Sequence, residues 1–360
     1  GRNWHLRCLL FPIRLPVRGQ IVENKPSAAI VLAAGKGTRM KSARPKVLHS
    51  LAGKALLGHA LDAVAALNPQ SLCVVIRHER QAVAQYVNEN YPQALLADQD
   101  EIPGTGRAVQ CALGKLAQQG ELAGTVVITS GDVPLLESST LEKLLETHQL
   151  AGNQVTVLTT LVPDPSGYGR VIRSDSGAVS AIVEDRDCGE EQRKVREINA
   201  GIYAFDAQFL NQALSGLDTD NDQGEVYLTD TIALAASNGR AGAYLITDYM
   251  QAEGCNDRAQ LAGLHREYNR RILNQLMKEG VSIVDPETTW IEKSVKIAAD
   301  ARVLPGCDLH GNTVIAAGAE IGPFTSLTDV KVGEDARVRR CDLQAVNLAS
   351  GSNHSCETNL

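Results

Sequence analysis

Aliphatic residues recur at a fixed step of six in the last part of the chain, and this repeat constrains the fold more than any other feature. Its members are Ile291, Ile297, Val303, Leu309, Ile315, Ile321 and Leu327, and after one five-residue step it resumes at Val332 and Val338. A hexapeptide period is typical of a β-helix, in which each coil buries its aliphatic face only against its neighbours. In ordinary half-buried strands, apolar and polar residues would instead alternate with a period of two. We therefore predict a partial β-helix over residues 281–346, followed by a polar, aperiodic tail at 347–360.

The preceding part of the chain, residues 28–256, alternates apolar strands with amphipathic helices. Unbroken apolar runs at 29–34, 71–76 and 125–129 predict strands covered on both faces, and helical spacing occurs at 56–67, 81–90 and 109–118. This alternation predicts an α/β domain with a Rossmann-like, mixed and mostly parallel sheet. Strand-rich segments between residues 155 and 205 predict an antiparallel extension, and residues 257–280 predict a connector helix.

The first of these strands runs directly into a basic, glycine-rich loop. The segment reads Leu32-Ala33-Ala34-Gly35-Lys36-Gly37-Thr38-Arg39-Met40 and is followed by Pro45-Lys46. Glycine lets the backbone approach a ligand, and three cations here would converge on phosphate oxygens. The loop matches neither Gly-x-x-x-x-Gly-Lys-Ser/Thr nor Gly-x-Gly-x-x-Gly. We expect a nucleoside triphosphate site at the carboxyl ends of the parallel strands.

Asp132 follows the buried strand at 125–129, in the segment Ser130-Gly131-Asp132. A carboxylate at a strand end is a suitable ligand for Mg²⁺, which takes one or two protein oxygens in addition to phosphates. The alternative interpretation is that Asp132 caps the helix that follows. We interpret His49 and His59, which lie in helix-like surroundings, as structural rather than catalytic.

The glycine-rich segment and Pro45-Lys46 together resemble the signature of sugar-phosphate nucleotidyltransferases. The next segment, Val47-Leu48-His49-Ser50-Leu51-Ala52-Gly53-Lys54, resembles one branch, the bacterial bifunctional N-acetylglucosamine-1-phosphate uridyltransferases and glucosamine-1-phosphate acetyltransferases. The resemblance extends from Ala29 to about Val338. It implies Mg²⁺-dependent transfer of a uridylyl group from UTP to N-acetylglucosamine 1-phosphate, an early step of cell-wall precursor synthesis.

The resemblance also implies a left-handed β-helix that carries an acetyl-CoA-dependent site. The acetyl-transfer histidine and the CoA-binding residues of that site would lie beyond Leu360, so the chain resembles a family member truncated early in the β-helix. We therefore expect no acetyltransferase activity from it. Family members trimerise through the β-helix, and we allow for a homotrimer if the partial repeat suffices.

The same resemblance assigns roles to individual positions. Arg39 and Lys46 are implied as catalytic cations, and Asp132 and Asn256 as metal ligands, although Asn256 could also cap the connector helix. The implied substrate-binding positions are Leu32, Ala33, Ala34, Gly35 and Lys46 in the loop, Gln99, Gly104 and Thr105 at the uracil, Ser130, Gly131 and Asp132 after the buried strand, and Gly169, Glu184, Asn199 and Asn256 at the sugar. The spacer at residues 100–103 departs from the common family form. A further family segment at 223–230 is expected to shape the sugar pocket.

Net charge, hydropathy and cysteine spacing exclude several kinds of binding partner and site. A net charge of -7 provides no basic face for nucleic acid or an anionic membrane. No run approaches the ~18 apolar residues that would cross a bilayer. The 8 cysteines lack Cys-x-x-Cys spacing, so we expect reduced thiols in the cytoplasm rather than a zinc site or a disulfide framework. Residues 1–27 fit neither the domain patterns nor a signal peptide, and we predict a disordered extension.

Two other functions stay open on the sequence alone. One is a related nucleotidyltransferase with another base or sugar, such as a glucose-1-phosphate thymidylyltransferase, although Gln99 and the order of the sugar motifs favour the uridyltransferase. The other is an inactive fragment or a non-catalytic scaffold subunit. Such subunits would be expected to lose Arg39, Lys46 or Asp132, and all three are present.

Overall fold

The computed structural model describes residues 25–217 and 225–356. The prediction for residues 1–27 therefore falls almost entirely outside the described residues. The elements of the α/β part are, in chain order, β1 (Ala28–Leu32), β2 (Ser50–Leu51), β3 (Lys54–Ala55), α1 (Leu56–Ala65), β4 (Ser71–Ile76), α2 (Arg80–Asn90), β5 (Leu95–Asp98), α3 (Thr105–Ala117), β6 (Thr125–Ser130), α4 (Ser138–Ala151), β7 (Val155–Leu161), β8 (Arg170–Arg173), β9 (Val179–Val183), α5 (Glu190–Arg193), β10 (Glu197–Asp206), α6 (Ala207–Ser215), α7 (Asp230–Ser237), β11 (Ala241–Ile246) and α8 (Arg258–Lys278).

A 9-stranded mixed sheet forms the centre of this part, in the order β11-β7-β10-β6-β1-β4-β5, with β8 and β9 attached beside β10. Strand β1 pairs in parallel with both β4 and β6, and β5 extends the parallel region. Strand β10 runs antiparallel to β6 and β7 and also pairs with β8 of the β8–β9 hairpin that precedes it in the chain. The predicted α/β fold with an antiparallel extension is confirmed.

Helices cover the central strands on both faces, which explains their unbroken apolar runs. On one face, Val31 and Val74 pack with Leu61 and Leu144, from α1 and α4. On the other face, Ile30 and its neighbours on β4 and β6 pack against α3. No helix among residues 25–217 and 225–356 is both long and apolar enough to cross a membrane.

Parallel strands bring their carboxyl ends to one edge of the sheet. The loops that follow β1, β4, β5 and β6 therefore meet there, and these loops carry the glycine-rich segment, Gln99 and Asp132. The predicted long helix also begins near this edge. Asp257 is its N-cap, since its side chain accepts a hydrogen bond of 2.8 Å from the backbone N–H of Gln260.

Helix α8 connects this edge to the C-terminal repeat. His265 Nε2 lies 3.0 Å from the carbonyl oxygen of Ser50, in the β2–β3 hairpin. Asn269 donates to the carbonyl of Thr289 at 2.8 Å and accepts from the N–H of Ile291 at 3.0 Å. The helix is thereby hydrogen-bonded both to the α/β part and to the first coil of the repeat.

The repeat folds into short strands that stack in parallel as three sheets. The strands are β12 (Ser282–Ile283), β13 (Trp290–Ile291), β14 (Lys296–Ile297), β15 (Arg302–Val303), β16 (Asp308–His310), β17 (Val314–Ile315), β18 (Glu320–Ile321), β19 (Ser326–Thr328), β20 (Lys331–Val332), β21 (Arg337–Arg339), β22 (Asp342–Gln344), β23 (Asn347–Leu348) and β24 (Asn353–Ser355). Aliphatic residues of successive coils are direct partners, as in Ile291, Leu309 and Leu327. The predicted start of a β-helix is confirmed.

The coils continue past Val346, where the sequence analysis predicted an aperiodic tail. Leu343, on β22, pairs with Leu327, and Leu348, on β23, pairs with Val332. These two leucines follow Val338 at steps of five rather than six, because the turns between the strands shorten. A search for a strict step of six does not detect them. His354 then takes the stacking position above Val338.

The last coil also contains a disulfide bond between Cys341 and Cys356, whose Cα atoms lie 5.0 Å apart. The expectation of reduced thiols is wrong for this pair. Fifteen residues separate the two cysteines, and the stacking of successive coils brings them together. Of the other cysteines in the described part of the chain, Cys73, Cys111, Cys188, Cys255 and Cys307 are free.

The stacking of the coils leads to a first prediction. Leu327 is fully buried between Leu309 and Leu343, so Leu327→Ala should lower the free energy of unfolding by ~2–5 kcal/mol. Val314→Ala, at a position 38% exposed on the same repeat, should cost less than about 0.5 kcal/mol. Urea unfolding followed by the fluorescence of Trp290, with Trp4 replaced by Phe, measures both. Equal losses for the two variants would contradict the inward position of Leu327.

Candidate active site

Two adjoining cavities open at the carboxyl edge of the sheet. One, of about 580 Å³, is lined by the glycine-rich loop, Gln99, Gly104 and the end of β6. The other, of about 400 Å³, is lined by Arg39, Gly169, Glu184 and Asn256. We call them the loop-side cavity and the strand-side cavity. The residues that line both are Thr105, Ser130, Asp132, Gly201 and Tyr203. Two ligands bound in these cavities would therefore meet beside Asp132.

The glycine-rich loop is shaped by the side chain that crosses it. Gly37 has a φ of 63°, and a Cβ atom there would lie 2.6 Å from Cβ of Lys46. Any other residue at position 37 would thus be strained and would collide with the stem of Lys46. Gly35 is exposed and faces open space, so it leaves the floor of the loop-side cavity accessible. The glycine at 37 serves mainly to let Lys46 reach the junction of the cavities.

Lys46 and Asp132 form an ion pair at that junction. Lys46 Nζ lies 2.5 Å from Asp132 Oδ2, and the two side chains are only 13% and 14% exposed. The hydroxyl of Ser130 donates to Asp132 Oδ1 at 2.7 Å, and the N–H of Cys255 donates to the backbone carbonyl of Asp132 at 3.0 Å. Because the pair is largely shielded from water, dissolved salt screens its electrostatic attraction less than that of a surface ion pair.

Asn256 brings a second oxygen to the same place. Its Oδ1 lies 3.4 Å from Lys46 Nζ, while its backbone N–H donates to Gln260 Oε1 at 2.8 Å. A carboxylate and an amide oxygen thus converge on one cationic position. This donor set fits Mg²⁺, which binds hard oxygen ligands and commonly takes only one or two from protein when phosphates supply the rest. The described residues contain no cluster of three or more His, Cys, Asp or Glu side chains that could hold a metal.

The capping alternatives for these two residues do not hold. The N-cap of α4, the helix after β6, is Glu137 rather than Asp132. The N-cap of α8 is Asp257 rather than Asn256. The side chains of Asp132 and Asn256 are therefore not committed to helix ends, and both face Lys46.

Arg39 and Lys36 contribute positive charge at the two cavities. Both side chains are exposed; Arg39 lines the strand-side cavity and Lys36 lines the loop-side cavity. Neither forms an ion pair with the residues that the structure describes. Cations left unpaired at the mouth of a cavity are available to an anionic ligand such as a phosphate.

Gln99 has a fixed orientation in the loop-side cavity. Its Nε2 donates to the carbonyls of Ile102 at 3.0 Å and of Gly104 at 3.2 Å, so the unusual spacer at 100–103 is what holds the carboxamide. Helix α3 begins at Thr105, four residues before the predicted start at 109, because Gly104 and Gly106 hide the helical pattern. Arg77 and His78 also line this cavity, and no sequence pattern indicated them.

Residues 225–229, which we call the strap, pack over these glycines. The N–H of Gly106 donates to the carbonyl of Val226 at 2.8 Å, and the N–H of Leu228 donates to Thr105 Oγ1 at 3.3 Å. A Cβ at position 104 would lie 2.4 Å from the Val226 carbonyl oxygen. The strap belongs to the segment 223–230 that was expected to shape the sugar pocket; Gln223 and Gly224 lie outside the described residues.

The strand-side cavity is lined by polar side chains on β10 and after β9. Glu184 Oε1 accepts a hydrogen bond of 3.0 Å from the hydroxyl of Thr229, in the strap. Asn199 Nδ2 donates to Tyr203 Oη at 2.7 Å, and Asn199 Oδ1 accepts from the N–H of Gly201 at 2.8 Å. Burial raises the pKa of Glu184, and the hydrogen bond from Thr229 opposes that rise.

The histidines singled out by the sequence lie outside both cavities. His59 Nε2 lies 2.8 Å from the carbonyl oxygen of Leu51, and burial lowers the pKa of the imidazole. His49 is also buried, and burial lowers its pKa as well. A neutral, buried imidazole bonded to backbone agrees with a structural interpretation of His59.

The chain is similar in sequence to known proteins. Residues 29–187 match the MobA-like NTP transferase domain family. The chain is 52% identical over 316 residues to the bifunctional protein GlmU of Paenarthrobacter aurescens (strain TC1), covering 88% of this chain and 64% of that protein. It is 50% identical over 327 residues to the bifunctional protein GlmU of Bifidobacterium animalis subsp. lactis (strain AD011), covering 91% of this chain and 71% of that protein. The chain thus spans about two thirds of the length of these relatives.

The ion pair at the junction yields a second prediction. Asp132→Asn keeps the shape of the side chain and removes its charge, so the affinity for Mn²⁺ in the presence of UTP should fall at least about tenfold. Electron paramagnetic resonance of free Mn²⁺ measures this affinity directly. Asp98→Asn, which removes a carboxylate paired with Arg80 at the end of β5, is the matched control and should leave the affinity unchanged. Unaltered affinity in Asp132→Asn would rule out the metal role.

Proposed function

Because this chain belongs to the GlmU family, we propose that it transfers the uridylyl group of UTP to N-acetylglucosamine 1-phosphate in a Mg²⁺-dependent reaction. The products are UDP-N-acetylglucosamine, a cell-wall precursor, and pyrophosphate. One observation carries the proposal: Lys46, Asp132 and Asn256 converge where the two cavities meet. The proposal includes a cytoplasmic location, where nucleoside triphosphates are made.

The chemistry requires positioning and charge neutralisation more than covalent help from the protein. An oxygen of the sugar phosphate attacks the α-phosphorus of UTP, and the bond between that phosphorus and the oxygen bridging to the β-phosphate breaks, which releases pyrophosphate. Lys46 at the junction and Arg39 on the strand side would neutralise the charge that grows on the phosphates. When bound by Asp132 and Asn256, Mg²⁺ would supply further neutralisation of the same charge.

Gln99 supports uracil as the base. Both of its donated hydrogen bonds go to backbone carbonyls, and its Oε1 accepts none from the described residues. That oxygen can accept a hydrogen bond from the N3–H group of uracil, which cytosine lacks. Binding of CTP would leave two acceptors facing each other, so the site would discriminate against it.

The polar groups of the strand-side cavity support an N-acetylated sugar. Glu184 offers carboxylate oxygens to sugar hydroxyls, and Asn199 offers an amide to a hydroxyl or an acetamido group. Gly169 lies between them, with a would-be Cβ 3.6 Å from Glu184 Oε2 and 3.7 Å from Cβ of Asn199. A side chain at position 169 would therefore fill the space between the two groups.

The proposal leads to a third prediction. The purified protein should release pyrophosphate from UTP only when N-acetylglucosamine 1-phosphate and Mg²⁺ are both present. A coupled pyrophosphate assay with each component omitted in turn measures this. Equal turnover with dTTP and glucose 1-phosphate would overturn the assignment of base and sugar, and the absence of any nucleotide-dependent release would overturn the enzymatic role.

A fourth prediction concerns the two cations. Arg39→Ala and Lys46→Ala should each lower kcat on the order of a hundredfold, or ~3 kcal/mol, with a smaller change in KM for UTP, if they act on charge that develops in the transition state. Arg44→Ala is the control, since Arg44 is exposed, follows the same loop and lines neither cavity. A rise in KM with an unchanged kcat would show that the cations bind the ground state and transition state equally.

A further inference from the structure

The two polar groups of the strand-side cavity are each held by a buried hydroxyl. That of Thr229 reaches Glu184 from the strap, and that of Tyr203 belongs to the same strand, β10, as Asn199. Thr229 is 5% exposed and donates to Glu184 Oε1, and Tyr203 is 4% exposed and accepts from Asn199 Nδ2. We propose that Thr229 and Tyr203 are positioning residues, which fix the acceptors that select the sugar phosphate. This inference rests on the proposed function.

Thr229 has a fixed position because the strap that carries it is hydrogen-bonded to residues beside the loop-side cavity. The Val226 and Leu228 backbones are hydrogen-bonded to residues 103–106, and the Thr229 hydroxyl reaches from the strap to Glu184. The hydrogen bond engages Oε1. It leaves Oε2, which lies beside Gly169 in the strand-side cavity, to accept from a ligand hydroxyl. Since a hydroxyl donor favours the ionised form of a carboxyl group, Thr229 keeps Glu184 an acceptor.

The surroundings of Glu184 disfavour its ionised form. Burial raises the pKa of Glu184, and the nearby carboxylates Asp187, Asp230 and Glu225 raise it further. Thr229 is the group that opposes these effects. A protonated Glu184 would present a donor in place of an acceptor and would lose part of its affinity for a sugar hydroxyl.

Tyr203 acts on orientation rather than on charge. Its ring packs beside Phe205, with the ring centroids 5.6 Å apart, and the residue lines both cavities. The Asn199 carboxamide is held at Nδ2 by Tyr203 and at Oδ1 by the N–H of Gly201. Exchange of its two ends would place two N–H donors against each other at Gly201, so the bond with Gly201 sets which end donates, and the bond with Tyr203 restrains the orientation of the side chain. Removal of the tyrosine hydroxyl leaves one of these two restraints.

The test compares Thr229→Val, Thr229→Ser and Tyr203→Phe with the wild type in steady-state kinetics from pH 5 to pH 9. Thr229→Val should raise KM for N-acetylglucosamine 1-phosphate about tenfold, the effect of losing one hydrogen bond to a charged group, and leave KM for UTP within about twofold. It should also move the acidic limb of kcat/KM for the sugar phosphate to higher pH, because Glu184 then protonates at higher pH. Thr229→Ser should restore both values.

Tyr203→Phe should raise the same KM without moving the acidic limb. Thr159→Val is the matched control: Thr159 is fully buried and donates to Glu197 Oε1 at 2.7 Å, but neither residue lines a cavity. It should change thermal stability and leave both KM values and the pH profile unaltered. A purely structural role for Thr229 would give the same pattern as Thr159→Val.

The outcomes separate this inference from the proposed function. If the wild type shows no uridylyl transfer, the proposed function fails. If the wild type is active and Thr229→Val retains the wild-type KM and acidic limb, the inference fails and the proposed function stands. An equal rise in KM for UTP and for the sugar phosphate would also overturn the inference, because it would indicate a general distortion of the cleft.

Discussion

The ion pair between Lys46 and Asp132 joins the parts of the chain that build the candidate site. Lys46 comes from the segment after the glycine-rich loop, and Asp132 comes from the end of β6. Asn256, just before α8, reaches the same ammonium group. Removing two charges from water costs free energy unless they are paired and hydrogen-bonded. The hydroxyl of Ser130 provides such a hydrogen bond, to the Asp132 carboxylate. This contact thus links the segment after the glycine-rich loop, the end of β6 and the residue that precedes α8.

Helix α8 gives the junction a rigid support. Its N-terminal end lies beside the candidate metal ligands, and its middle is hydrogen-bonded to the β2–β3 hairpin and to the first coil of the repeat through His265 and Asn269. The coils in turn bury the apolar side of the helix at Leu273 and Leu276. A helix fixed along its length holds Asn256 at a defined distance from Asp132, which a mobile loop would not do.

Much of this arrangement can be predicted from the sequence, because some residues carry local signals. The apolar run of β1, the glycine-rich loop and the regular spacing of Ile291 to Leu327 each reflect a single local constraint. Leu343 and Leu348 escaped prediction because shortened turns break the six-residue step, and Cys341 and Cys356 meet only when the coils stack. The roles of Thr229 and Tyr203 could not be predicted either, since a hydroxyl that orients another side chain leaves no periodic or compositional signal.

In the proposed reaction, two substrates meet at Lys46 and Asp132. The most direct measurement is a crystal structure of the protein with UDP-N-acetylglucosamine and Mg²⁺. We expect the uracil beside Gln99 in the loop-side cavity, the sugar beside Glu184 and Asn199, and the diphosphate at the junction, with the metal between Asp132 and Asn256. A diphosphate bound away from Asp132, or a sugar in the loop-side cavity, would contradict it.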